Sequence, residues 1–463
     1  MSAFRNPLDA DEQLSLFGEN PGDYLDTQLN WLQDSQSTNR EIRFDNLPFV
    51  NNLTSWNDAF ITVPIEITGT EFSSSDATTT ALAMAAGSES IFTQVRFQLS
   101  AGSSMLNEIN HQSALINPIR KQIEWSDDKL KTYGPENMYA MNHLDTGGYN
   151  IGFNTAANLF REQIVTRTSS TGLSLLIKVY LRDLHDLFKN LTWPMLNFRW
   201  ELYFRLGWPF NTNSTFHSLL QATSGTTITS ATVTNVAGST TFLSGCCRLY
   251  QRHIKLNPVA ELKLAAMLDT GFTKRVHFLE TEVSPMYNAG ASTGSNTLVN
   301  FQVATNSTNV KRVIIFGVPA GTFSTSSSFS AASAGNYPWC TAPNSRLSLA
   351  SLLVNNQPLY TRVLTLDNEF YMETRNQLVD SGLSMKSGSL INYEDWKLGT
   401  QLYYVFDLTR IRNRTSTEQP VNLYFSGTRT SDTQSIDWYA IMEKDAVIDF
   451  SVSRTSAQIV RVL

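Results

Sequence analysis

Residues 173–206, LSLLIKVYLRDLHDLFKNLTWPMLNFRWELYFRL, place two alternating segments around one with helical spacing. Leu173, Leu175, Ile177, Val179 and Leu181 alternate with Ser174, Lys178, Tyr180 and Arg182, and only Leu176 breaks the polar side. Phe198, Trp200, Leu202, Phe204 and Leu206 alternate with Arg199, Glu201, Tyr203 and Arg205. A period of two is that of a strand with one face buried. Between the two runs, Leu184, Leu187, Phe188 and Leu191 follow i, i+3, i+4, i+7, one face of two helical turns. Asp183 stands where an N-cap belongs, Asp186 lies near the positive end of the helix dipole, and Trp193-Pro194 ends the helix. The unit reads strand, short helix, strand. A link of this length also suits a parallel crossover. Its second-half counterpart, 403–425, keeps the Asp-Leu but has Arg412-Asn-Arg-Thr-Ser-Thr in place of a covering helix, so antiparallel pairing is expected for both.

With 463 residues and 51.8 kDa the chain exceeds one ordinary core, and two domains are expected. Charged residues are 16% of it, against about 25% in an average protein, and aromatics reach 11%. Ser, Thr, Asn and Gln fill the gap, a mix that suits many strands joined by polar loops. The net charge of −6 gives no footprint for nucleic acid. The three cysteines, Cys246, Cys247 and Cys340, neither frame a disulfide network nor have zinc-ligand spacing, so reduced thiols in an intracellular product are expected. The N-terminus, MSAFRNPLDADEQ, lacks the apolar run of a signal peptide, and no apolar run approaches the roughly 20 residues of a membrane span.

Along the chain, residues 1–44 read as a polar arm in which Leu25, Leu29 and Leu32 could dock a short helix. Ala59, Ile61, Val63, Ile65 and Ile67 share one face of a strand, which Pro64 should confine to a sheet edge. Further strands are expected near 91–99 and 248–256, with Ser/Thr-rich loops at 70–90 and 208–240. The clearest helix has Asn257 as N-cap, Pro258 in its first turn and Gly271 as terminator, and it marks the domain junction. Beyond it, strands are expected near 275–283, 298–303, 311–318, 402–408, 421–425, 436–442, 447–452 and 459–463. Glu443-Lys444-Asp445 reads as a hairpin turn, and 284–296 and 320–339 read as loops. Each half thus carries about eight strands and few helices, the strand count of a jelly roll or sandwich. Three echoes in the same order favour a duplication: Phe97-Gln98-Leu99 with Phe301-Gln302-Val303, Leu115-Ile116-Asn117 with Leu353-Val354-Asn355, and Asp183-Leu184 with Asp407-Leu408.

Chemistry is sparse. Gly290-Ala291-Ser292-Thr293-Gly294 matches a nucleophile elbow in letters, but a strand pattern follows it where the elbow needs a helix. Asp183, His185 and Asp186 have no nucleophile beside them, and helical spacing turns His185 toward solvent, so a helix cap outweighs catalysis. His111, His143, His217, His253 and His277 stand alone, and Asp127-Asp128 and Glu394-Asp395 look like loops. No catalytic, cofactor-binding or metal-binding residue is expected.

Read together, IKVYLRDLHDLFKNL with FRWELYF, then RVHFLETEV, VKRVIIFGV, LLVNNQPLY and YYVFDLTR, resemble double jelly-roll major capsid proteins of small eukaryotic DNA viruses. The nearest in kind are those of polinton-like viruses, adintoviruses and virophages. The likeness spans the chain from about residue 45 onward and rests on order and spacing, none of the motifs being enzymatic. It implies an all-β protein of two tandem eight-stranded antiparallel jelly rolls with a few short helices. The expected division is an arm at 1–44, a first roll with the junction helix at 45–270, and a second roll at 271–463. It further implies homotrimers of pseudo-hexameric outline that tile an icosahedral virion shell beside neighbouring capsomers, penton and minor capsid proteins. Assembly inside the host cell, with no cofactor, no membrane span and no specific nucleic-acid binding, completes the expectation. The rival reading is a carbohydrate-binding or carbohydrate-active β-sandwich, since such sandwiches host both.

Overall fold

The chain is described in a computed structural model over residues 24–34, 36–37, 41–68, 80–84, 87–101, 104–134, 137, 142–145, 148–151, 165–169, 172–207, 210–211, 219–223, 232–235, 239–242, 247–290, 297–320, 329–330, 345–360, 363–365, 367–380, 391, 393–398, 401–409, 420–429, 435–453 and 457–462. Every ladder among these residues is antiparallel.

The first half folds as two facing sheets. One runs Tyr24–Gln33, Arg248–Leu256, Thr54–Thr68, Gly172–Tyr180, with Val165–Ser169 beyond. The other runs Glu41–Asp45, Arg199–Leu206, Phe92–Ala101, Ser104–His111, with the short Gln36–Ser37 at its rim. In the second half one sheet runs Phe272–Val283, Ile436–Val452, Val310–Pro319, Tyr404–Asp407. Its facing sheet runs Thr297–Ser307, Val421–Arg429, Leu347–Val354, Gln357–Pro358. When the eight main strands of each half are counted in chain order, both halves give sheets 1-8-3-6 and 2-7-4-5. That is the strand order of a jelly roll, found twice.

This order can be set against the sequence echoes. Asp183-Leu184 lies in the helical turn after the sixth strand of the first half, whereas Asp407 ends the sixth strand of the second, so the two are near each other in the fold but on different elements. The other two echoes also part: Phe97 lies on a fourth strand and Phe301 on a second, while Leu115 is in a helix and Leu353 in a strand. The expected pairing within 173–206 is also corrected, because its two strands lie in opposite sheets and the link carries the chain from one to the other.

Within that link the helix breaks in two, Leu181–Leu184 and Asp186–Asn190. Its second piece sends Phe188 between the sheets, where the ring meets Phe97 at 4.7 Å, Trp200 at 5.2 Å and Trp56 at 6.0 Å. Ile177, Val179, Leu181, Trp200, Leu202 and Phe204 are fully buried around it, as the period of two requires.

Four further expectations change. Leu25, Leu29 and Leu32 lie not on a helix but on the strand Tyr24–Gln33, which completes the first sheet; Leu32 is buried and the other two face outward. The strand holding Pro64 is central rather than marginal. Pro64 faces Leu176 on one side, and on the other its neighbours Thr62 and Ile65 pair with Arg248 and Phe242. The stretches read as polar loops contribute a four-stranded sheet, Thr80–Met84, Leu219–Thr223, Thr232–Asn235 and Phe329–Ser330, drawn from both halves. Finally, Glu443-Lys444-Asp445 is no turn: Ile436–Val452 is one seventeen-residue strand.

That strand serves two cores. Ile436, Trp438, Ala440 and Met442 pack with Phe425, Phe406 and Val313 of the second roll, whereas Ala446, Ile448, Phe450 and Val452 pack with Trp193, Phe198 and Leu202 of the first. Phe272–Val283 runs beside it along the whole crossing, from Phe272 opposite Val452 to Val283 opposite Ile441. Between the cores sits Glu443, 1% exposed, accepting from Arg312 Nε at 2.6 Å. Removing one partner of a buried pair strands the other charge, at a cost of about 3–5 kcal/mol. Arg312→Leu is therefore expected to lower denaturant stability by that amount. Pairing it with Glu443→Leu should recover most of the loss, which equilibrium unfolding of the three proteins measures.

Candidate functional site

The polar residues of interest gather at the seam between the rolls. His185 breaks the helical link with extended backbone, φ −148° and ψ 140°, and its Nδ1 accepts from the Leu187 N–H at 3.1 Å. The cap is thus His185 rather than Asp183, and the ring is buried rather than turned to solvent. It packs against Phe97 and His111 of the first half and Phe278 of the second. Asp183 instead accepts from the Tyr133 hydroxyl at 2.7 Å. Asp186 reaches across the seam, accepting from the Leu279 N–H at 2.9 Å, and also holds Asn190 Nδ2 at 2.9 Å.

Two further cross-seam bonds come from His111, which the sequence left standing alone, and from a helix that the sequence did not show. His111, fully buried, has Nδ1 3.1 Å from Thr281 Oγ1 and Nε2 2.9 Å from Asn117 Oδ1. The helix Ser113–Glu124 adds Ala114, Leu115, Ile116, Ile119 and Ile123 to the second roll's core, and its Gln122 accepts from the Tyr403 hydroxyl at 2.6 Å. Pro118 in its interior hid this helix from a pattern search, because proline removes a helical bond and burial has to offset the loss.

Beside the seam lies a cavity of about 70 Å³ lined by charge, including Glu89, Arg120, Lys121, Glu124, Lys129 and Asp186. Its carboxylates are already committed. Lys121 Nζ donates to Glu89 at 2.5 Å and to Asn137, Arg120 Nε donates to Glu124 at 3.1 Å, and Arg120 also faces Asp186 at 3.5 Å. Burial pushes the Glu89 carboxyl above its ordinary range, against the pull of Lys121, and burial likewise pushes the Lys121 ammonium down. Burial opposes the charge on Arg120, but Glu124, Asp186 and Glu443 outweigh it and hold the guanidinium protonated. Among the described residues no serine, threonine, cysteine or histidine lines the cavity. Its chemistry is that of a joint in which side chains of opposite charge meet.

The remaining sequence candidates are scattered. Gly290 follows the strand Tyr287–Ala289, Ser292 lies outside the described residues, and the next element among the described residues is the strand Thr297–Ser307. His253 stacks edge-on with Phe49, His277 is exposed, His143 is on the strand Asn142–Asp145, and His217 is outside the described residues. Asp128 is exposed in a short helix capped by Ser126, and Glu394-Asp395 fall in the helix Tyr393–Leu398. Among the described residues no group of three His, Cys, Asp or Glu side chains is arranged to hold a metal ion. No helix among them is long and apolar enough to cross a membrane.

Desolvation lowers His111 from 6.5 to about 4, so the ring is held neutral in the folded chain. Between those values the unfolded chain takes up a proton that the folded chain refuses. Stability therefore falls as pH drops from 6.5 toward 4, by about 3 kcal/mol for this one group. His111→Gln should flatten that part of the pH dependence, and thermal melting of both proteins from pH 7 to 4 measures the difference.

Solved structures share this fold along nearly the whole chain. The Sputnik virophage structure superposes with a TM-score of 0.61 at 13% identity, covering 95% of this chain and 89% of that one. The mavirus major capsid protein gives 0.53 at 11% identity, covering 94% and 90%. The PBCV-1 virus capsid gives 0.53 at 10% identity, covering 95% and 98%. No protein-family model and no curated protein sequence matches the chain. The fold is a double jelly roll.

Proposed function

We propose that this double jelly-roll chain is a major capsid protein, a structural subunit that forms homotrimers of pseudo-hexameric outline in an icosahedral virus shell. The observation that carries the reading is the repeated 1-8-3-6 and 2-7-4-5 strand order, matched over both rolls by solved capsid structures. Three chains with two like-built rolls each offer six near-equivalent flanks for tiling. The units in this reading are 45–270 and 271–463, with Tyr24–Gln33 and Glu41–Asp45 completing the first roll. Welding of the rolls supports it, because a tile must transmit lateral load without hinging at its middle. Lateral contacts between tiles need polar rims and exposed loops rather than a catalytic pocket. The partners are other copies, penton and minor capsid proteins; the place is the virion, after assembly in the host cell; the role is not enzymatic. The four-stranded sheet built from loops of both rolls is a candidate for locking the trimer or projecting from it. A carbohydrate-directed sandwich is not favoured, since the solved structures that share both rolls are viral capsid proteins.

Light scattering of the purified full chain, with negative-stain microscopy, tests the proposal. The expected particle is three times the 51.8 kDa chain, hexagonal in projection. A monomer that binds glycans on an array would refute it.

A further inference from the structure

The outer faces of the two 1-8-3-6 sheets carry the same three rings. In the second roll Phe316 stacks on Tyr439 at 5.7 Å and 21°, and meets Tyr403 edge-on at 6.0 Å and 61°. In the first, Phe60 stacks on Tyr250 at 4.8 Å and 13°, and meets Tyr180 edge-on at 5.6 Å and 61°. The registers agree as well. Phe316 opposes Tyr439 and Phe60 opposes Tyr250, each a third strand against an eighth. Tyr180 opposes Phe60 from the sixth strand, and Tyr403 precedes the Tyr404 that opposes Ile315.

The surroundings of the two triads differ. In the second roll all three rings are buried, and Ser113–Glu124, the helix between the first roll's fifth and sixth strands, packs into the same core. In the first roll the rings are only half-buried, beside Leu176 at 61% exposure and Trp31 at 46%. Lys178 Nζ lies over Phe60 and Tyr180 at 4.4 Å each.

The second roll has its own helix between strands five and six, Asp367–Asp380. One side packs on its own roll: Phe370 is edge-on to Tyr404 at 5.3 Å, and Thr374 Oγ1 donates to the Tyr403 carbonyl at 2.9 Å. The opposite side, Asn368, Met372 and Arg375 at i, i+4, i+7, is exposed, Met372 at 59%. The first-roll helix has no such open side, for all its residues except Arg120 and Glu124 are buried.

We propose that Asp367–Asp380 of a second copy of this chain docks over the Phe60–Tyr250–Tyr180 face, repeating between chains the contact that Ser113–Glu124 makes within one. This rests on the capsid reading and supplies it with a surface. The contact is head-to-tail, the kind that closes into a ring when its rotation allows. Met372 is suited to the rings, because its flexible, polarisable thioether makes favourable contacts with aromatic edges.

The test is a charge of either sign at position 372 in the full chain. Met372→Arg meets Lys178 and Arg182, and should weaken the trimer roughly ten-fold or more. Met372→Glu should leave it intact, and Lys178→Glu added to Met372→Arg should restore it. Since both sites are exposed, melting temperatures at concentrations where the chains are monomeric should not move. Leu176→Cys with Met372→Cys, treated with a flexible bis-maleimide, should give interchain bands that neither single variant gives. If the Met372→Arg chain forms trimers with wild-type affinity and the double-cysteine chain gives no such band, this face is wrong and the capsid reading stands. If the wild-type chain is a monomer at every concentration, both fall.

Discussion

Everything in this molecule depends on one strand being too long for one sandwich. At roughly 3.3 Å per residue, the seventeen residues of Ile436–Val452 span about 56 Å, about three times an ordinary strand. Its two ends must therefore be buried by different partners, and they are, Trp438 in the second core and Phe450 in the first. The rolls cannot separate without pulling apolar side chains of one shared strand out of one core or the other. The Glu443–Arg312 pair marks the crossing, where the strand leaves one apolar interior before it enters the next. Asp186, His111 and Gln122 then fasten the same seam with hydrogen bonds from the first half to the second.

The strands that are easiest to read in the sequence are those whose two faces see different solvents. Arg199–Leu206 alternates because one side is core and the other is water, and its buried residues are the ones the pattern marks. Ile436–Val452 defeated the same rule. From Ile436 to Glu443 both faces are buried, so alternation vanishes, and three charged residues in a row imitate a turn. Tyr24–Gln33 failed for the opposite reason: Leu25, Leu29 and Trp31 face outward, so its apolar spacing mimicked a helix. Pro64 argued for an edge by a sound rule, but its strand is paired on both sides, with Gly172–Tyr180 on one and Arg248–Leu256 on the other.

The seam was less legible than the strands, because its meaning lies in pairs far apart in the chain. Nothing near His111 announces Thr281, and nothing near Lys121 announces Glu89. The sequence did mark His185 and Asp186 as unusual, but helical spacing turned the ring outward. Local backbone settles it otherwise: an extended His185 accepts from its own i+2 amide, which redirects the ring inward. A break of one residue in a helical pattern is invisible to periodicity and decisive for orientation.

The repeated strand order places two helices at corresponding points of the two rolls, and they look unlike each other. Ser113–Glu124 is covered on both sides within one chain, and it keeps Leu115, Ile116, Ile119 and Ile123 buried. Asp367–Asp380 is covered on one side only and shows Asn368 and Arg375 to water. The two aromatic triads diverge in the same sense. Phe316, Tyr403 and Tyr439 are buried, with the Tyr403 hydroxyl bound to Gln122, whereas Phe60 and Tyr180 carry the Lys178 ammonium over their rings. A cation over a ring at an exposed site contributes about 0.5–1 kcal/mol, small enough to be displaced by a docking side chain. Under the proposed docking this face has to be soluble in the free chain and dry in the assembly, which calls for a weak mask, and Lys178 over Phe60 is one.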